Sequence, residues 1–473
     1  MALDLRASTA HVDHTWDREI VPMLHDYIAI PSLSPAFDAD WDSAGHMARA
    51  VALIRDWCAA RAIPGLTVDV RTLPGRTPVI AMEIPPAGGG AADDTVLLYG
   101  HLDKQPEMTG WREGLGPWMP VLEGNRLYGR GGADDGYSSF AALTAIEAIH
   151  VGGGAHSRLV VLIEASEESG SPDLPAHIEA LAPEIGIPSL VVCLDGGCAD
   201  YDRLWVETSL RGNLVGTLTV DVLTEGIHSG SYGGVVPSSV RILRLLLDRI
   251  EDARTGEILI AEANVAIPDD RRREAEVTAK QLDDVAEAPP LVRGMRLVSD
   301  DPVELLLNKA WRPSLAYIGA DGFAPIERAG NVLRPRTALR LSLRLPPTAD
   351  GEAVAAALQR TLTADPPYGA HVAYEVDDIA VGWNSPPLAP WLTAALEEAS
   401  QHSWGQPSAT VGGGGTIPFT GMLGAQFPEA QFLVTGVLGP GSNAHGPNEF
   451  LDIPTGRRVT SAVVQVVDAH ARR

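Results

Sequence analysis

Three short apolar runs constrain this chain more than any other feature. Thr95-Val96-Leu97-Leu98-Tyr99, Leu159-Val160-Val161-Leu162-Ile163 and Leu190-Val191-Val192-Cys193-Leu194 carry no polar alternation. A strand with one wet face shows a period of two, so unbroken runs of this length read as strands covered on both faces. Between the first two runs, Phe140, Leu143 and Ile146 fall at helical spacing inside an Ala-rich stretch from Ser138 to Ile149. Strand, helix, strand in that order predicts an α/β fold, a sheet with helices on both sides.

The pattern changes after Arg211-Gly212. Leu214, Leu218, Val220 and Val222 alternate with Thr217, Thr219 and Asp221, and Leu339, Leu341, Leu343 and Leu345 alternate with Arg340, Ser342 and Arg344. Such strands have one wet face. Val240, Leu243, Leu247 and Ile250 mark an amphipathic helix between them. The buried-strand pattern returns at Phe432-Leu433-Val434. The sequence therefore predicts a large sheet-based domain in two parts, residues 1–212 and 384–473, interrupted by a smaller α+β domain over 213–383. The charged, poorly periodic stretch 254–288 stays unassigned.

At 473 residues the chain exceeds what one core organises. A formal net charge of −25 argues against a nucleic-acid partner, because neutralising phosphates takes clustered Lys and Arg. No apolar run is long enough to span a bilayer, and no basic segment followed by an apolar stretch opens the chain. The three cysteines, Cys58, Cys193 and Cys198, have no framework spacing, which suggests reduced thiols and a cytoplasmic address.

Polar residues follow the buried runs in a consistent way. His101 and Asp103 come directly after the first, Glu164, Glu167 and Glu168 at or after the end of the second, and Asp195 closes the third. His445 follows the C-terminal strand. Sites in open α/β sheets form at the carboxyl ends of strands, so four strand ends bring imidazoles and carboxylates to one crevice. That is a metal site by composition. In His101-Leu102-Asp103 the carboxylate is placed to accept the second ring N–H of a metal-bound imidazole. Asp134-Asp135 precedes a helix, where Asp is most often a cap, but the glycines around it suggest a constrained backbone holding a carboxylate. A Glu-Glu pair on its own is usually a solvated charge run. Beyond a buried strand, adjacent carboxylates repel unless a cation or proton is present, so one can ligate a metal while the other takes a proton from water.

Together these motifs resemble the M20 metallopeptidase family, and within it the carnosinase-like and PepV-like dipeptidase branch. The resemblance rests on Gly100-His101-Leu102-Asp103, Gly129-Arg130-Gly131 to Asp134-Asp135, Glu167-Glu168-Ser169-Gly170, Asp195, His228-Ser229-Gly230 and Asn443-Ala444-His445. It implies two divalent metal ions, with His101 and Asp195 on one, Glu168 and His445 on the other, and Asp134 bridging them. Zinc suits such mixed ligands, and manganese or cobalt fits the same oxygen-rich set. The resemblance further implies Glu167 as general base, Asp103 orienting His101, and His228 as a lid histidine that holds the scissile carbonyl oxygen. Arg344 and Asn331 match lid positions around the substrate carboxylate, and Gly415-Thr416-Ile417-Pro418 matches a loop that lines the site. The implied substrate is a small peptide-like amide, with an N-acyl amino acid as the alternative. A non-catalytic metal-binding protein would be expected to lack the base, and Glu167 is present. The implied assembly is a homodimer through the lid, for which the helix over Val236 to Ile250 offers an apolar stripe, with His228 serving the partner's site.

Three departures fall near substrate. The family usually has Asp-Asp-Lys-Gly where this chain has Asp134-Asp135-Gly136-Tyr137. Carnosinase-like members have Arg-Glu at Gly412-Gly413, and Ser at Thr416.

Overall fold

The computed structural model describes residues 2–282, 289 and 291–473. Its centre is a six-stranded sheet in the order Thr67–Arg71, Val79–Ile84, Arg158–Glu164, Thr95–His101, Pro188–Cys193, Gln431–Val434. The last four strands are mutually parallel, and Val79–Ile84 runs antiparallel to both of its neighbours. Both faces are covered, and strand alternation sorts the side chains into two cores. Val96, Leu98, Val161, Ile163 and Val192 meet the helices Tyr137–Val151 and Ile453–Arg472 on one side. Leu97, Tyr99, Val160, Leu162 and Val191 pack on the other, against Leu174 and Phe419. Each fully buried aliphatic side chain contributes roughly 1.5–3 kcal/mol, which is why polar residues are kept to the strand ends. The α/β architecture is as the apolar runs predict, and the C-terminal strand completes the sheet, pairing Val434 with Cys193.

A second, antiparallel sheet takes the order Ser314–Asp321, Arg336–Leu345, Gly212–Asp221, His371–Ala380. Helices Ser239–Leu247 and Gly351–Thr363 cover one face of it, burying Leu214, Leu218, Leu341, Leu343 and Val354 together. Of the apolar stripe expected to serve dimerisation, Leu243 and Ile250 are buried in this sheet's own core and Leu247 packs against it, with Ile242 and Leu246 buried beside them. A wet-faced sheet needs one apolar cover, and the helix supplies it within the chain.

The unassigned stretch lies partly outside the described residues, but it contains the helix Asp269–Gln281. With Pro302–Ala310 this helix does not join the antiparallel sheet. The two helices close over Val411 and Gly412 of the strand Ala409–Gly412, which pairs with Trp205–Leu210. Arg271 donates to the Ser385 carbonyl at 3.0 Å, and Thr278 to that of Thr410 at 2.8 Å.

At the amino ends of the parallel strands, Ser189 Oγ donates to Asp94 Oδ1 at 2.5 Å and lies 2.8 Å from His470 Nε2. Arg473 donates to Asp94 and Ser189 at 2.8 and 2.9 Å.

Candidate metal centre and active-site crevice

Strand register brings the opposite, carboxyl ends level: His101 pairs with Glu164, and Tyr99 with Cys193, two residues before Asp195. His101 Nε2 lies 3.3 Å from Asp134 Oδ1 and 3.6 Å from Asp195 Oδ1. His445 Nε2 lies 3.0 Å from the other oxygen of Asp134 and 3.2 Å from Glu168 Oε2. Asp134 thus faces two donor sets with one oxygen each, His101–Asp134–Asp195 and Asp134–Glu168–His445. Within each set the ligand atoms lie within 4.8 Å of one another. Glu167 Oε2 is 4.0 Å from His101 Nε2.

The electrostatics test whether this donor set fits cations. Burial raises the Glu167 carboxyl well above its usual range, and the Asp195, Glu168 and Asp103 charges push the same way. Burial also pushes Asp195 up to about 6. Burial opposes protonation of His101, yet the Asp195, Asp103 and Asp134 carboxylates hold its pKa well above the ordinary value. The same competition, won by Glu168 and Asp134, raises His445. His101 Nε2 and Glu168 Oε1 are buried with no hydrogen-bond partner. Four carboxylates and two imidazoles that repel or protonate one another are a set a divalent cation satisfies. The mixed nitrogen and oxygen donors fit zinc, and fit manganese or cobalt as well.

The supporting residues do more than the sequence alone indicates. The Asp103 carboxylate accepts the backbone N–H groups of Glu167 and Glu168 at 3.1 and 3.0 Å, fixing the turn that carries both. His101 Nδ1 lies 3.2 Å from the Asp103 carbonyl and 3.6 Å from its carboxylate, so Asp103 steadies the ring chiefly through its backbone. The helix Tyr137–Val151 receives no side-chain cap, so Asp135 is not spent there. Its Oδ2 instead accepts the His101 N–H at 3.2 Å. Gly136, where the family has Lys, has no room for a side chain: a Cβ would lie 2.1 Å from the Tyr27 ring. Tyr27 donates to the Leu102 carbonyl at 2.8 Å and so braces the His101 loop from behind.

Sequence reasoning gave no role to Arg130 or Glu449. The two form a fully buried ion pair, with Glu449 also accepting the Gly131 N–H at 2.8 Å and Arg130 donating to the Gly446 carbonyl at 2.9 Å. The pair ties the Asp134 loop to the His445 loop, where Asn443, His445 and Asn448 all have left-handed φ angles. Held strain of this kind persists only where surrounding contacts enforce it. Glu164, also without an assigned role, accepts from Tyr99 at 2.6 Å and Ser171 at 2.8 Å, and burial pushes it up to about 7.

A cavity of about 420 Å³ opens onto the donor sets, lined by Asp134, Glu167, Asp195 and His445 together with Arg344, Gly415 and Thr416. Thr416 Oγ1 accepts from Arg344 at 2.9 Å and donates to the Arg211 carbonyl at 2.6 Å. Threonine therefore supplies the hydroxyl that serine has elsewhere. His228 and Asn331 are not among the residues lining this cavity. They sit together in the second unit, where Ser229 N donates to the Asn331 carbonyl at 2.9 Å. His228 is exposed, and its Nδ1 accepts from the backbone of Gly230 and Ser231 at 3.0 and 3.2 Å. With Nδ1 an acceptor, the neutral ring carries its proton on Nε2, pointing a donor away from its own turn.

A parallel sheet whose strand ends carry two cation donor sets with a shared aspartate defines a metallohydrolase. Residues 97–469 match the family model described as Peptidase family M20/M25/M40, and the chain belongs to that family. It is 29% identical to the cysteinylglycine-S-conjugate dipeptidase of Corynebacterium striatum, over 76% of this chain and 77% of that protein. It is 28% identical to the Cys-Gly metallodipeptidase of Saccharomyces cerevisiae, over 82% of each. Among solved structures, a Saccharomyces cerevisiae dipeptidase superposes over 100% of both chains with a TM-score of 0.83 at 22% identity. Human carnosine dipeptidase 1 superposes over 99% of this chain and 100% of that one, with a TM-score of 0.78 at 21% identity.

Proposed function

We propose that this protein is a two-metal dipeptidase that hydrolyses the amide bond of small, unblocked peptides. The observation that carries this is the placement of Asp134 between two cation donor sets, with Glu167 beside them and Arg344 in the same cavity. The relatives named above are dipeptidases, which supports the substrate class.

His101, Asp134 and Asp195 would hold one cation, and Asp134, Glu168 and His445 the other. When bound, the cations supply Lewis acidity, easing loss of a proton from water and favouring negative charge on the scissile oxygen. Glu167 takes the proton of the attacking water and returns it to the departing amine. Asp103 keeps Glu167 and Glu168 in register, and Arg344, steadied by Thr416, pairs with the substrate carboxylate through a guanidinium fork. The oxyanion donor is His228 Nε2–H, supplied by a second copy of the chain, because His228 and Asn331 do not line their own chain's cavity. Exposed Tyr232, Val235 and Val332 beside His228 give that contact an apolar surface. The active form is then a homodimer through the 213–383 domain, acting as a lid on the 1–212 and 384–473 catalytic domain. The scattered thiols support a cytoplasmic address. Among the described residues no helix is long and apolar enough to cross a membrane.

The test is a panel of free dipeptides, dipeptide amides and N-acyl amino acids, run with zinc, manganese and cobalt. Turnover should be greatest for free dipeptides. Exclusive turnover of N-acyl amino acids would replace this reading with an amidohydrolase, and inertness of the metal-loaded protein toward every member would remove catalysis.

A further inference from the structure

Glu207 is a carboxylate with no part in the cation donor sets, yet it faces the same cavity. It lies on the strand Trp205–Leu210, all of whose residues are buried. A buried carboxylate is costly without a cationic or hydrogen-bonding partner. Burial pushes its pKa up to about 7, with Asp195 adding to the rise, while the charge of Lys309 and the Gly197 backbone N–H favour the ionised form. No ion pair within 4.0 Å holds it among the described residues.

The loop opposite is shaped around it. A Cβ on Gly413 would lie 2.4 Å from Glu207 Oε1 and 2.6 Å from Leu210 Cδ2, and a Cβ on Gly197 would lie 3.5 Å from the same oxygen. A side chain at 413 and the Glu207 carboxylate cannot share this volume. The departure noted at Gly412-Gly413 is thus explained: position 413 gives up its side chain, and an acid from a different strand occupies the wall.

We infer that Glu207 reads the free amino group of the substrate and makes the enzyme select unblocked dipeptides over N-acylated amino acids. The inference rests on the hydrolytic reading above and assigns its specificity. In a dipeptide the ammonium is on the carbon next to the scissile carbonyl, and the carboxylate lies beyond the scissile nitrogen. Asp195 and Glu167 fix where the carbonyl reacts. Glu207 is close enough to Asp195 for their charges to interact, and Arg344, held by Thr416, lines the same cavity together with Arg211 and Lys309. A cavity that offers a carboxylate outside the donor sets as well as a guanidinium matches a zwitterion. An N-acyl amino acid brings no cation and leaves the Glu207 carboxylate buried with no ion pair closer than the charge of Lys309, which selects against it.

The matched pair Ala-Leu and propionyl-leucine tests this, since the two differ by the amino group. Wild type, Glu207→Gln and Gly413→Ala are compared with metal content and thermal midpoint checked for each. Wild type should favour Ala-Leu. Glu207→Gln should lower that selectivity ratio in kcat/KM by about tenfold to a hundredfold, the usual worth of a hydrogen bond to a charged group. Gly413→Ala, which displaces the carboxylate without removing it, should lower the ratio in the same direction. A wild type that cleaves both compounds with a ratio unmoved by Glu207→Gln overturns the inference and leaves the hydrolase standing. Equal losses on both compounds also overturn it, marking Glu207 as structural. A metal-loaded wild type that cleaves neither compound overturns the dipeptidase reading itself, and this inference with it.

Discussion

The two ends of the parallel sheet use similar residues to opposite effect. At the amino ends, His470 and Asp94 lie with Ser189 and Arg473, and the aspartate is matched by an arginine 2.8 Å away. Burial there drives the His470 pKa down to about 4, with Arg473 adding to the fall and Asp94 opposing it. At the carboxyl ends, His101 is surrounded by Asp134, Asp195 and Glu167, and its pKa moves the other way. One cluster closes within the chain and staples the C-terminal helix to the sheet. The other concentrates carboxylates beyond what its own side chains neutralise. Surplus charge held in place by a rigid sheet, rather than the presence of His and Asp, is what distinguishes a site from a staple.

The sharpest way to break this comparison is to remove divalent cations. Exhaustive chelation, verified by elemental analysis, should abolish turnover, and adding back cation should restore it. Full activity in the metal-free protein would show that the surplus charge at the carboxyl ends has another purpose. Next in size is Glu167→Gln, which should lower kcat by about 10²–10⁴-fold with metal content kept, because an amide cannot take the proton from water. Glu168→Gln should instead lower metal occupancy. Loss of metal from Glu167→Gln, with normal turnover per remaining ion pair, would exchange the two roles.

Breaking the closed pair that supports the crevice gives a third measure. Glu449→Ala leaves the Arg130 guanidinium buried without its carboxylate, which should lower unfolding free energy by about 3–5 kcal/mol in a urea titration. A change below about 1 kcal/mol would mean that the two loops hold without the pair.

The smallest expected effect is at the other end of the sheet, and its sign follows from the depressed His470 pKa. Between about 6.5 unfolded and about 4 folded, the unfolded chain binds more protons, so stability rises with pH. The contribution is complete above the unfolded value and is lost as pH falls through the folded one. The gap amounts to on the order of 3 kcal/mol for this buried ring. Measured from pH 7 down to 4, His470→Gln should show a shallower loss of stability than wild type. Parallel curves would mean that His470 is already accessible to protons in the folded state.

The candidate donor sets were legible because His101, Glu168, Asp195 and His445 sit at or after strand ends, and strand periodicity survives in a single sequence; Asp134, placed before a helix, was singled out as shared only through the resemblance. Arg344 and Thr416 became legible through the resemblance, since an arginine on an alternating strand is otherwise indistinguishable from a wet-face residue. Arg130, Glu449 and Glu207 were not read as functional because their meaning lies in contacts across more than 200 residues, as in the carboxylate of Glu207 filling the space over Gly413. Tyr27 likewise looks like one more helix residue until its ring is seen closing the space at Gly136. The interface stripe was misplaced for the complementary reason: an apolar periodicity says that a helix face is covered, and says nothing of what covers it.

The two helices Asp269–Gln281 and Pro302–Ala310 bear on how the molecule divides. They belong by sequence to the inserted stretch and by packing to a small separate sheet, Trp205–Leu210 with Ala409–Gly412, where they close over Val411 and Gly412. Excising residues 213–383 would therefore strip that cover from the remaining fragment and leave the Ser385 and Thr410 carbonyls without the donors they have here, Arg271 and Thr278. The insertion cannot be treated as a detachable cassette. A dissection that respects the packing keeps these helices with the sheet and separates only the antiparallel strands and the two helices on their face.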